Sequence, residues 1–490
     1  MDQLNFNNSI KTERETILSI IILAILVLLI SHGTINTLFP NILINLMALI
    51  LISVILYILL IVNKLYFSFV MIMYICSHFP YASTYGGTFV IISFLVISPQ
   101  FFKDIFSELK ISDYLITTLI IVLIINTVLG WIFKNNMPIM QFAAGVFSFF
   151  GYIVIFLFSA RIFIDTNKIK ILVNIIIFMA FFIFIFSFNN YFEIITIASP
   201  IIYSPFGAFA NSELLGEYSM VIFLILFPFL FSNHPQLIAN ISKRRIIVGL
   251  ITSLLSVFIS ISRSALILIS VGAMAELLFI WFFSDHTIFN KKSRLFANSV
   301  IIFSIMVIFW KPLNLNYILE RFTNPDLASP IHISTNINLL TGEGTPRELA
   351  FSYFLIRFPQ ESWWIGYGWG VPVSNRIAWF SNPEVLRAGY HSLYLSLLMI
   401  YGWIGSVSFI SLILITIVRL KNIFLKNYRN SIHYLLQVGF FFALLFMMIN
   451  EYKISLLRNE TYQLIVWIWL GIANALIYSS SYIDQNRHRN

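Results

Sequence analysis

From Ser392 to Val418 the chain reads SLYLSLLMIYGWIGSVSFISLILITIV, with no charged side chain anywhere in it. Wound as an α-helix, about 20 apolar residues cover the roughly 30 Å hydrocarbon core of a bilayer. A stretch of this kind fits few soluble folds, and here it recurs. Comparable runs lie near 16–31, 40–62, 65–79, 86–98, 114–133, 139–163, 171–189, 218–232, 246–261, 265–283, 295–310, 392–418, 434–450 and 461–478. They number about fourteen, with twelve to fourteen as the expected range because several are short or interrupted.

Composition excludes the soluble alternative. Of 490 residues, 59% are hydrophobic and only 10% charged, and the mean hydropathy is +0.88. A globule of this chain would have to build its surface from apolar side chains. The runs are continuous and do not alternate apolar with polar, which argues against a β-barrel. The expected fold is therefore an all-α polytopic membrane protein. Cys76 is the single cysteine, so no disulfide framework exists. The first apolar run lacks a small-residue cleavage site and reads as a retained anchor.

Charge orients the bundle, because Lys and Arg collect in loops left on the cytoplasmic side. With the N terminus inside, the basic connections KDIFSELK, ARIFIDTNKIK, HPQLIANISKRR, DHTIFNKKSR and RLKNIFLKNYRN fall inside, as does the tail QNRHRN. The opposite side receives SHGTINTLFP, SHFPYASTYG and the nearly neutral segment from Asn189 to Glu217. Lys134, Lys453 and Arg458 are outward exceptions. The net charge of +9 then reflects this inside bias and calls for no nucleic-acid partner. Three regions follow: 1–310 with eleven spans, 311–391 as a large partly helical outer loop, and 392–490 with three spans and the basic cytoplasmic tail.

The outer loop carries six Lys or Arg and six Asp or Glu, with frequent Pro, Gly and Trp, and a connection that long is usually functional. Within it PRELAFSYFLIRFPQ reads as a short amphipathic helix bearing Arg347 and Arg357, and WWIGYGWG as an aromatic turn suited to the membrane interface. Two further features face the same side. Ser262 and Arg263 sit between two apolar runs with no room for more than a tight turn, and an arginine there needs water, a carboxylate or a lipid phosphate. The segment SPFGAFANSELLGEYS, near 200–217, is rich in small residues and reads as re-entrant. Arg263, Arg347, Arg357, Arg387 and His391 thus share one face. Taken singly, each has a plainer reading: an arginine at a helix end also serves as a snorkelling anchor, and a histidine as an interfacial ring.

The ordered series GAFANSELLG, ISRSALILI, a long outer loop with an arginine ahead of GYGWG, and HSLYLSLLMIYGWIG resembles the O-antigen ligase and O-antigen polymerase superfamily, membrane glycosyltransferases of the GT-C type. The resemblance spans Gly207 to Gly405. Ser264 stands where the family has glycine, Ser392 where it has asparagine, and Arg347 is one residue further from its glycine. What the resemblance implies is glycosyl transfer at the periplasmic face of the bacterial inner membrane. The donor would be an undecaprenyl-diphosphate-linked oligosaccharide repeat unit, with membrane lipid and a chain-length-regulating membrane protein as further partners. Arginines Arg263, Arg347, Arg357 and Arg387 would hold the diphosphate, and His391 would take the proton of the acceptor hydroxyl. Asn211, Glu213, Glu217, Ser262 and Ser392 would touch the sugar or support the site. No metal or cofactor is expected, since no Asp-x-Asp, Walker or dinucleotide motif occurs. The favoured reading is an O-antigen polymerase; the alternatives are a ligase that moves the glycan to a lipid A core and a lipid-linked oligosaccharide flippase.

Overall fold

The computed structural model of the chain describes residues 114–134, 139–163, 166–192, 212–231, 242–260, 262–283, 364–366, 393–424, 432–451 and 460–487, with Val70, Tyr74 and Ser299. These form α1 (Tyr114–Lys134), α2 (Ile139–Ile162), α3 (Thr166–Phe192), α4 (Ser212–Leu226), α5 (Lys243–Ile259), α6 (Arg263–Phe283), α7 (Leu393–Phe424), α8 (Ile432–Glu451) and α9 (Glu460–Arg487). A 3₁₀ segment, Phe227–Phe231, continues α4. It contains Pro228, which has no N–H to give to an α-helical ladder. Among the described residues five helices are long and apolar enough to cross a membrane. The expected spans at 16–31, 40–62, 86–98 and 295–310, most of 65–79, and nearly all of the 311–391 loop lie outside the described residues.

Outward faces are apolar where a soluble protein would be charged. Phe181, Ile185 and Phe188 line one side of α3, and Ile247, Val248, Ile251, Leu255 and Phe258 one side of α5. Such stripes at helical spacing are surfaces for lipid tails. The α4 segment from Glu213 to Phe231 is different: 94% of its apolar window is enclosed, against 50% for α3, α6 and α7. It is the central helix, packed on by α5, α6 and α8.

Lipid tails supply no hydrophobic drive between helices, so close backbone approach and polar bonds hold the bundle. At Gly439 of α8 a Cβ would lie 2.6 Å from the Ile225 carbonyl of α4, and at Gly471 of α9 one would lie 2.5 Å from the Phe156 carbonyl of α2. Asn474 donates to Thr416 Oγ1 at 3.3 Å, joining α9 to α7, and Gln437 of α8 donates to the Leu476 carbonyl of α9 at 2.9 Å.

The apolar run after His391 is not one straight helix. Gly402 has φ +62° and ψ −167° and divides α7 in two. The left-handed φ is tolerated because glycine has no Cβ. Contacts fix the level of this break. Phe409 and Thr416, seven and fourteen residues after it, meet Trp467 and Asn474, seven and fourteen after Glu460. The break is therefore level with the start of α9, and the preceding half-helix is carried across the end of the bundle. One end of that half-helix meets α8, where Tyr394 donates to the Met448 carbonyl at 3.1 Å. The other meets α2, where the Phe149 and Tyr401 rings stand 6.2 Å apart. The apolar run expected as one span from 392 is thus a helix from Leu393 divided at Gly402.

Candidate active site

The turn between α5 and α6 is built by its serines. Ser260 ends α5, its N–H bonding the Ser256 carbonyl, while Ser262 opens α6 by accepting from Leu266 N–H at 3.0 Å. Ser260 Oγ donates to the Val257 carbonyl at 2.6 Å and accepts from Ser262 N–H at 3.2 Å. The Ser260 hydroxyl thus bonds backbone groups on both sides of the three-residue connection. Arg263 is the first residue of α6, which bears out the tight turn expected there, and Ser262 is buried beside it.

The central helix comes to this turn. At Gly216 a Cβ would fall 2.6 Å from Ser262 Cβ and 2.9 Å from Ser260 Oγ, so only glycine lets α4 pass so close. The residues Ser212–Glu217 are ordinary first turns of α4, with Glu213 in the first turn where a carboxylate complements the helix dipole. Of the segment 200–217 expected to re-enter the membrane, the last six residues are helical; 200–211, with Asn211, lie outside the described residues.

One residue past Gly216 is Glu217, completely enclosed. Its carboxyl accepts from Tyr462 Oη at 2.6 Å and from Asn450 Nδ2, and the Glu451 carboxyl lies beside it. Around this cluster Tyr218 stacks on Trp469 at 5.8 Å, Tyr462 meets the same indole edge-on at 6.1 Å, and the Tyr74 and Tyr218 hydroxyls bond at 3.2 Å. A carboxyl is expensive to enclose among apolar helices, and donors from two other elements meet that cost. Glu217 thus ties α4 to the end of α8 and the start of α9. It is neither a solvated carboxylate nor a helix cap.

Of the residues singled out in the sequence, the structure brings together Ser262, Glu213, Glu217 and the first residue of α6, Arg263, at one end of the bundle. Arg347, Arg357, Arg387, His391 and Ser392 lie outside the described residues. The chain resumes at Leu393, and Tyr394 is bonded to Met448, two residues before Asn450 and three before Glu451. Asn450, Glu451 and Tyr462 were missed in the sequence. Their signal is the polar pair Asn-Glu closing an apolar run, which the span 434–450 cut through.

No family model matches the chain, and no curated protein matches its sequence. Fold and site define a class all the same: an all-α polytopic membrane protein with an enclosed carboxyl, amide and tyrosine cluster at one end of its bundle.

Proposed function

We propose that the chain is a membrane-embedded glycosyltransferase, an O-antigen polymerase that joins undecaprenyl-diphosphate-linked repeat units at the periplasmic face of the bacterial inner membrane. The observation that carries this reading is the gathering of three separate sequence segments at one end of the bundle. GAFANSELLGEY supplies Gly216 and Glu217, ISRSALILI supplies Ser262 and the start of α6, and HSLYLS reaches the same end through Tyr394 and Met448. These segments carry the resemblance in the sequence, and nothing in their spacing along the chain requires them to meet.

In the proposed reaction His391 accepts the proton of an acceptor sugar hydroxyl as its oxygen attacks the anomeric carbon of the donor. The bond from that carbon to the diphosphate oxygen breaks, and the electron pair leaves with the diphosphate. Displacement from the far side inverts the anomeric configuration. Arg263, with Arg347, Arg357 and Arg387, stabilises the negative charge on the departing lipid diphosphate, where planar guanidinium groups give two-pronged hydrogen bonds. Glu217 and its partners hold α4, α8 and α9 in the arrangement that brings these pieces together.

The test is elongation by purified protein given lipid-linked repeat units. Arg263→Ala is expected to abolish polymer while the protein remains inserted, and Lys at that position to restore only part of it. His391→Ala is expected to slow turnover by roughly 10²- to 10⁴-fold with donor binding little changed. Full-length ladders from Arg263→Ala would remove that residue from the site. Transfer to a lipid A core without elongation on the carrier would make the protein a ligase.

A further inference from the structure

The break at Gly402 exposes backbone groups that a continuous helix would have paired, and two remote segments of the chain take them up. Asn126, enclosed on α1, donates from Nδ2 to the Tyr401 carbonyl. The Ile404 N–H bonds the Trp364 carbonyl at 3.4 Å. Trp364, Ile365 and Gly366 belong to the long connection between 311 and 391, so a turn of that connection is seated in the break. The seat has no spare room: a Cβ at Gly402 would overlap the Trp364 carbonyl and lie 2.7 Å from Gly366 N. A Cβ at Gly405 would lie 2.7 Å from Asn126 Nδ2.

At the start of the second half-helix the Ile404 N–H is taken by the Trp364 carbonyl. What the arrangement does is mechanical. The half-helix Leu393–Tyr401 is held at its first turn by Met448, beside the Glu217 cluster, and at its last residue by Asn126. The same joint grips the turn of the long connection. Two parts of the chain far apart in sequence are thereby put in one register.

We propose that Asn126, Gly402 and the Trp364–Gly366 turn form a clamp that sets the long outer connection against the half-helix following His391, and that Asn126 is a positioning residue for the glycosyl transfer. The second clause rests on the proposed function; the first does not. Positioning of this kind acts on the chemical step, because a displacement of about 1 Å at the reacting groups costs on the order of 10²-fold in rate. Binding of the donor lipid is affected far less.

The experiment uses the full chain in lipid nanodiscs, with Cys76 replaced by Ala. Cysteines at Ile365 and Ile404 are expected to be joined by a short bifunctional thiol reagent. Asn126→Leu and Asn126→Asp, which match the amide in size but offer no N–H, are both expected to reduce cross-linking. Both are also expected to lower kcat by about 10²-fold with donor affinity held within about twofold. Asn126→Gln, which keeps the donor, is expected to recover part of each loss. Unchanged cross-linking in Asn126→Leu would overturn the clamp. Reduced cross-linking with unchanged kcat would overturn the positioning role. A parent protein that transfers no sugar would defeat the enzymatic reading, and the cross-link would still decide whether Asn126 holds the turn.

Discussion

Glu217 shows how a single side chain can organise three helices. Its oxygens accept from Tyr462 and Asn450, so removing one donor leaves a buried acceptor short of a partner. Loss of a hydrogen bond to a buried carboxyl costs about 1.5–3 kcal/mol. Tyr462→Phe is expected to lower unfolding stability by that amount, read as a downward shift in thermal unfolding of the detergent-solubilised protein. Glu217→Leu on its own is expected to do similar damage, while adding Tyr462→Phe to it should cost little more. Additive losses in that double-mutant cycle would show that the two side chains do not act as a pair.

At the scale of elements, agreement between sequence and structure follows the physics of each signal. Apolar runs announce helices well, and the spans expected at 114–133, 139–163 and 265–283 coincide with α1, α2 and α6 to within a few residues. The break in α7 was not legible, because YGWIG reads as a continuous apolar run and glycine is common in membrane helices. Only the pairing of Gly402 with a turn some forty residues earlier makes its left-handed conformation necessary. The site was partly legible for the same reason: Ser262 and Glu217 sit next to charge or turn signals, while Tyr462 and Asn126 earn their roles through partners more than two hundred residues away. Close helix contacts give this scale its own prediction. Gly439→Ala would press a methyl group against the Ile225 carbonyl and is expected to destabilise the protein by about 1–3 kcal/mol. Val407→Ala, on an outward face, is expected to stay within about 0.5 kcal/mol. Thermal unfolding of the two variants side by side makes the comparison.

For the whole molecule, the orientation inferred from basic loops can be checked apart from any chemistry. With Cys76 replaced, cysteines at Ser329 and Asn382 are expected to react with a membrane-impermeant thiol reagent in intact spheroplasts, and one at Asn290 to stay unlabelled. Labelling at Asn290 alone would place the Glu217 end of the bundle in the cytoplasm and end the periplasmic mechanism. At the opposite end, α9 outruns its neighbour. Gln437 meets Leu476, so the first residue of α8, Ile432, stands level with roughly residue 481 by the antiparallel 1.5 Å rise. The helix continues to Arg487, about 9 Å further. That overhang is a mast. It carries Arg487 past the level of Ile432, the first residue of α8. A fluorophore fixed at Arg487, the last residue of α9, is expected to tumble with the bundle that α9 packs in, and its anisotropy decay is the measurement.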